Sequence, residues 1–225
     1  MNGVLDNYTP IMYNRVFVNT LLDLPEPAVG GFITLQDNTL YEFAPGTLDL
    51  GTNKLVCPAN CILRGQGTFA SLVTSSITSG ETFITSTNPG GILHIEGLQF
   101  NFSDPNFVLF DCQNLEQLLV TSTFFIGEGT IGTFANIQTT RFGALCSIAG
   151  FSSGLKLDGS LGSTIFDRVG FINIGSSPAS PYVYTTSTCT IGILLDFAGC
   201  VGLFPTGTTG IYIDPATTFA FGVVS

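Results

Sequence analysis

Tryptophan is missing from this 225-residue chain, histidine occurs once, and lysine and arginine together number only six. The six basic residues are never clustered and stand against sixteen acidic ones, for a formal charge of −10. A nucleic-acid backbone therefore finds no electrostatic footprint here, and nucleic acid is not expected as a partner. No window reaches the about 18 consecutive apolar residues of a spanning helix. The opening MNGVLDNYTP has no basic stretch followed by an apolar one, so neither membrane insertion nor a visible export signal is expected. Charged residues make up 10% of the chain, against roughly a quarter in ordinary soluble domains, so Ser, Thr, Asn and Gly must cover the exterior.

Several chemistries are short of parts. The single histidine, His94, and the lack of a G-x-S-x-G elbow exclude a Ser-His-Asp hydrolase. There is no phosphate loop, dinucleotide fingerprint or EF-hand spacing, and no cofactor is expected. Six cysteines, at 57, 61, 112, 146, 189 and 200, are far too sparse for a disulfide scaffold and read best as buried free thiols. Cys57 and Cys61 (CPANC) have neither the spacing nor the companions of a zinc or redox motif, so no metal site is expected.

What the chain does contain is 20 Phe, 27 Gly and many short alternating stretches bounded by turn residues. Examples are Phe32–Leu35, Thr39–Phe43, Ile92–Ile95, Leu155–Leu157 and Ile211–Ile213. Helical periodicity is nearly absent, which predicts an all-β chain. An apolar-x-apolar-x-turn pattern recurs at Leu93, Phe110, Leu155 and Ile193. Those starts differ by 17, 45 and 38 residues, and reading them as one, two and two turns gives a period near twenty. Short strands at such a period, without helices, predict a right-handed parallel β-helix. Roughly ten coils about 4.8 Å apart would make a column on the order of 50 Å long. Asn60, Gly97 and Asn114 suit its tight corners. Phe100, Phe124 and Phe171 are expected to stack inside it.

Residues 1–30 show no clear coil, and Leu24-Pro25-Glu26-Pro27 is stiff, so this stretch reads as an attachment segment leading into a β-helix over 31–225. Residues 175–188 (GSSPASPYVYTTST) read as an excursion whose Tyr182 and Tyr184 are candidate binding residues. The apolar ending FAFGVVS suggests a sheet edge that needs a cap, a further copy or continuing chain.

The opening of residues 18–67 has Leu24, Pro25, Pro27, Gly30, Gly31, Ile33 and Leu35, then Asp37, Asn38, Thr39, Tyr41 and Phe43, then Gly51, Asn53, Leu55 and Val56. With GILHIEGLQF and FDCQNLEQLLVTSTFFIG further on, it resembles the β-helical fibre and spike-like structural proteins of tailed bacteriophages, over roughly residues 18–175. That resemblance implies a virion structural protein, assembled in the host cytoplasm as a homotrimer. Its partners would be other virion proteins and a glycan or receptor on the host surface.

The alternative is a tailspike depolymerase. Glycoside hydrolysis needs two carboxyls about 5–9.5 Å apart, and the candidates are Asp111, Glu128, Asp158, Asp167 and Asp196. Arg168 beside Asp167, with Arg141, could instead serve a lyase site. The lack of tryptophan platforms favours a protein that binds rather than cleaves. His94 and Glu96 alternate with inward apolar residues and are expected to lie together on the outside.

Overall fold

The computed structural model describes residues 14–77, 80–103, 107–143, 145–151, 153–172, 181–203, 210–220 and 223–224. Strand makes up 55% of it, and about seven turns of roughly 25 residues each wind into a parallel β-solenoid. Three sheets of 10, 8 and 7 strands run along the column. The first sheet begins at Asn14–Val18, the second at Phe32–Thr34 and the third at Gly46–Asp49. Every turn visits the second, the first and then the third sheet.

The solenoid follows from alternation. On the first sheet the register aligns Thr39, Cys61, Leu93, Leu118, Thr140, Thr164 and Leu195 in one inward column, and Tyr41, Leu63, Ile95, Val120, Phe142 and Phe166 in the next. All are buried. Each turn thus places its side chains on those of the turn below, and the backbone groups of each rung bond to its neighbours. Aromatic rings fill the middle: Phe100 stacks on Phe125 at 5.3 Å, and Phe110, Phe134, Phe142 and Phe166 continue the series at 5.3–5.8 Å.

The expected ladder of Phe100, Phe124 and Phe171 is corrected at one place. Phe125, not Phe124, points inward, because Phe100 pairs with Phe125 across the third sheet. Phe124 faces outward and meets Phe69 edge-on at 5.1 Å.

The period is corrected too, from twenty to roughly 25 residues. Phe110 and Leu155 belong to the second sheet, whereas Leu93 and Ile193 belong to the first. Counting all four as one series mixed two sides of the column, and the stretch from Leu93 to Ile193 spans four turns rather than five. Turn length also varies: successive first-sheet partners Leu40, Ile62, His94, Leu119, Arg141, Ile165 and Asp196 are 22, 32, 25, 22, 24 and 31 residues apart. Seven turns make a column of about 35 Å.

The corners between the second and first sheets repeat one device. Asn38, Asn60, Asn114, Asn136 and Gly159 all have left-handed backbone, with φ of 52–60°. Asn tolerates that conformation better than other residues with a side chain. The Asn60 amide donates to Asn38 Oδ1 (2.9 Å), and the Asn136 amide to Asn114 Oδ1 (3.2 Å). At the next turn Gly159 takes the corner, and a Cβ there would lie 2.3 Å from Asn136 Oδ1, so the Asn136 amide would have to turn aside.

Within the expected attachment segment, Asn14–Val18 already pairs in parallel with Thr39–Phe43 as a rung of the first sheet. A short 3-10 turn, Leu21–Asp23, follows it. Of the expected excursion at 175–188, residues 175–180 lie outside the described residues. Val183–Thr185 is a regular rung of the second sheet. The ending FAFGVVS is described at Phe219, Ala220, Val223 and Val224, where Thr218–Phe219 and Val223–Val224 pair on Thr190–Asp196. Among the described residues no helix is long and apolar enough to cross a membrane.

Candidate functional site

The interior is filled by side chains except for an apolar cavity of about 280 Å³ near the C-terminal end, lined by Phe171, Tyr182, Val183, Phe197, Cys200 and Ile211, and polar chemistry is left to the outward columns. The second sheet aligns Asp111, Thr133, Lys156, Tyr184 and Tyr212 in one outward column. Asp158 sits two residues beyond Lys156. Its Oδ1 accepts from the hydroxyls of Thr186 and Thr188 (2.6 Å each) and from the Gly159 N–H (2.8 Å), while Lys156 Nζ lies 2.8 Å from Oδ2. The Lys156 hydrogen bond, followed by those from Thr186 and Thr188, holds the Asp158 carboxyl well below the usual range. The same bond raises Lys156. Tyr184 and Tyr212 occupy neighbouring rungs directly above Lys156, half-buried and exposed respectively. This end of the second sheet therefore combines two outward phenol rings, an ion pair and a cluster of hydroxyls.

Of the two tyrosines singled out in the sequence, only Tyr184 faces out. Tyr182 is buried, packs edge-on against Phe171 at 5.3 Å, and donates its hydroxyl to the Ile148 carbonyl (3.1 Å). Burial pushes its phenol far above the usual range. Tyr212 was not singled out, although its place between Ile211 and Ile213 in an alternating stretch marks it as outward.

The candidate carboxylates are dispersed. Asp111 and Asp158 share the second sheet but lie two rungs and one outward column apart, about 12 Å by strand geometry. Asp111 accepts from the Gln113 amide (2.6 Å). Asp196 pairs with Ile165 on the first sheet and accepts from the Ala198 N–H (3.0 Å). Asp167 is at the adjoining corner, one rung below Asp196 and about 8 Å from it on the same lattice. Its carboxylate meets Arg168 Nε at 3.0 Å and Arg141 at 3.7 Å. Arg168, then Arg141, lowers its pKa. The structure thus brings together Arg141, Asp167 and Arg168, with Asp196 nearby, and leaves Asp111, Asp158 and Glu128 elsewhere. A general acid needs a raised pKa, and Asp158 and Asp167 are shifted the other way.

His94 is outward and half-buried, as expected, and its Nε2 lies 3.4 Å from Thr121 Oγ1. Glu96 accepts from Arg64 Nε (2.9 Å) instead of pairing with the histidine. Burial lowers the His94 pKa more than the Glu96 charge raises it. All six cysteines are free thiols, five of them buried. Burial raises Cys146 and Cys189 to about 11, and it raises Cys112 well above its ordinary value. Cys112, Cys146 and Cys189 are therefore protonated thiols at neutral pH and poor nucleophiles.

These features define a parallel β-solenoid with an interior packed by aromatic and aliphatic side chains and a polar-aromatic patch near one end. Comparison with protein-family models, with curated proteins and with solved structures finds no match to the chain.

Proposed function

We propose that the chain is a structural and adhesive column: a component of a bacteriophage tail fibre or spike that attaches the virion to a host cell surface. In this reading three copies stand side by side, held in the virion by other virion proteins, and the contacts are made with a surface glycan or receptor. The observation that carries it is the outward column Lys156, Tyr184 and Tyr212 with the Asp158 hydroxyl cluster. Aromatic faces beside ion pairs and hydroxyls suit sugar rings, whose C–H faces stack and whose hydroxyls bond. Each contact would be weak, and repetition on a stiff multivalent body would make attachment firm.

The test is binding of the purified chain to bacterial surface polysaccharide, comparing wild type with Tyr184→Ala/Tyr212→Ala. Binding lost in the double variant with its circular dichroism spectrum intact supports the reading; binding unchanged removes the patch from it.

A second reading, a surface-glycan depolymerase, is favoured by one observation, the grouping of Arg141, Asp167 and Arg168 with Asp196 one rung away. Release of reducing ends or unsaturated uronates that stops in Asp167→Asn would establish it.

A further inference from the structure

The three outward faces differ in charge. The first carries the pairs Arg15–Glu42 and Arg64–Glu96, and the second carries Lys54–Glu81 and Lys156–Asp158. On the third sheet the strands Ser71–Ser75, Gln99–Phe102, Phe124–Ile126, Ser147–Ala149, Gly170–Ile172 and Val201–Leu203 contain no charged residue, and Asp49 on the first rung is the sheet's one charge. The outward columns here read Leu72, Gln99, Phe124, Ser147, Gly170 and Val201, and Thr74, Asn101, Ile126, Ala149 and Ile172. Charge resumes only at the rims, with Glu128 on one side and Asp167 and Arg168 on the other.

At the edge of this face, on the corner between the first and third sheets, stands Phe69, 81% exposed although its loop is firmly held. Thr68 Oγ1 donates to the Ser122 carbonyl (2.5 Å), the Gly67 N–H to the Gly97 carbonyl (3.2 Å), and the Gln66 N–H to Ser71 Oγ (2.9 Å). The ring rests edge-on against Phe124. Leu145, 72% exposed, lies on the same corner three turns further along. An exposed aromatic fixed in place beside an uncharged face has the character of an interface anchor.

We propose that the third-sheet face is where copies of this chain meet one another, with Phe69 and Phe124 as the anchor. Electrostatics selects the occupant. A chain of charge −10 repels its own copies, and the third sheet is the face on which two of them can approach without opposing charges. Rung spacing is also common to both partners, so side-by-side columns match along their length. Six rung spacings of about 4.8 Å by about four residues of about 3.3 Å give on the order of 400 Å². Phe69 and Leu145 bring the total for two copies to roughly 1,000 Å², the size of the smallest specific interfaces. This deepens the attachment reading by naming the surface through which its copies assemble, and it rests on that reading only for the number of copies.

The test is molar mass by light scattering and sedimentation equilibrium across protein concentration, for wild type, Phe69→Glu, and the control Val29→Glu at a fully exposed position in the segment before Phe32–Thr34. Wild type and Val29→Glu are expected to associate alike and more tightly as salt screens their charge. Phe69→Glu is expected to weaken association at least tenfold with an unchanged circular dichroism spectrum. Association of Phe69→Glu equal to wild type overturns the face while leaving assembly itself standing. A wild type that stays monomeric up to hundreds of micromolar overturns both the face and the side-by-side assembly, while glycan binding by the single column would survive.

Discussion

Replacing Phe125 with alanine removes a ring held between Phe100, stacked at 5.3 Å in the rung on one side, and Phe110, edge-on at 5.2 Å, with Ile148 in the rung on the other side. The site is fully buried and closed above and below by fixed rungs, so it can collapse little. Loss of transfer free energy plus the remaining cavity puts the cost at about 3–5 kcal/mol. Phe124, one residue earlier on the same strand, is half-buried and touches Phe69 from outside. Its alanine variant should cost about 1 kcal/mol, the worth of one aromatic contact and some partial burial. Adjacent residues of identical type and propensity thus differ only in the face they occupy. Urea unfolding followed by circular dichroism, under dilute conditions where copies do not associate, measures both. A Phe124→Ala cost equal to or above that of Phe125→Ala would mean that the third sheet is shifted by one residue and the reasoning fails.

Three further outcomes follow from the same geometry. Gly132→Ala should destabilise by several kcal/mol or abolish folding, because φ is +119° and the new Cβ would lie 1.9 Å from the Phe110 carbonyl oxygen; expression and thermal melting will show it. Thr140 and Thr164 stack on neighbouring rungs inside the column with hydroxyls that find no hydrogen-bond partner among the described residues. Thr140→Val and Thr164→Val should each raise stability by about 1 kcal/mol in the same urea assay, and a loss would show that the hydroxyls are satisfied. Asp158 has a carboxyl pKa lowered in the folded state, chiefly by Lys156. Its contribution is therefore present above the unfolded value of about 3.9 and fades as pH falls below it. Asp158→Asn should shrink the difference in melting temperature between pH 7 and pH 3, modestly because the pair is partly exposed.

The fold class was legible in the sequence because alternation and turn residues are local signals. Asn60 and Asn114 declared their corners through the one property that matters there, tolerance of left-handed backbone. The period was less legible. Loops of unequal length, such as 65–70, separate turns by 22 to 32 residues, and inward pairs on different sheets look alike in sequence. The choice between Phe124 and Phe125 was not legible either, since in Ser122-Thr123-Phe124-Phe125-Ile126 apolar residues occupy both faces; only the partner strand Gln99–Phe102 decides it. Among candidate site residues, Asp167 with Arg141 and Arg168 came together as suspected from charge alone. Tyr182 and Tyr184 are two apart and so should share a face by simple alternation. This strand of the second sheet begins only at Val183, which leaves Tyr182 in the preceding bend, turned inward. Phe69 gave no signal, because its exposure depends on hydrogen bonds to rungs one and two turns away.

The proposed function is that of a column that holds on to a surface without cutting it. It is tested most directly by incubating the purified chain with bacterial surface polysaccharides and measuring, in the same sample, retained protein and released reducing ends or unsaturated uronates. Retention that depends on Tyr184 and Tyr212, with no release of product, is the predicted result. Product release that disappears in Asp167→Asn would contradict it and make the Arg141–Asp167–Arg168 corner an active site.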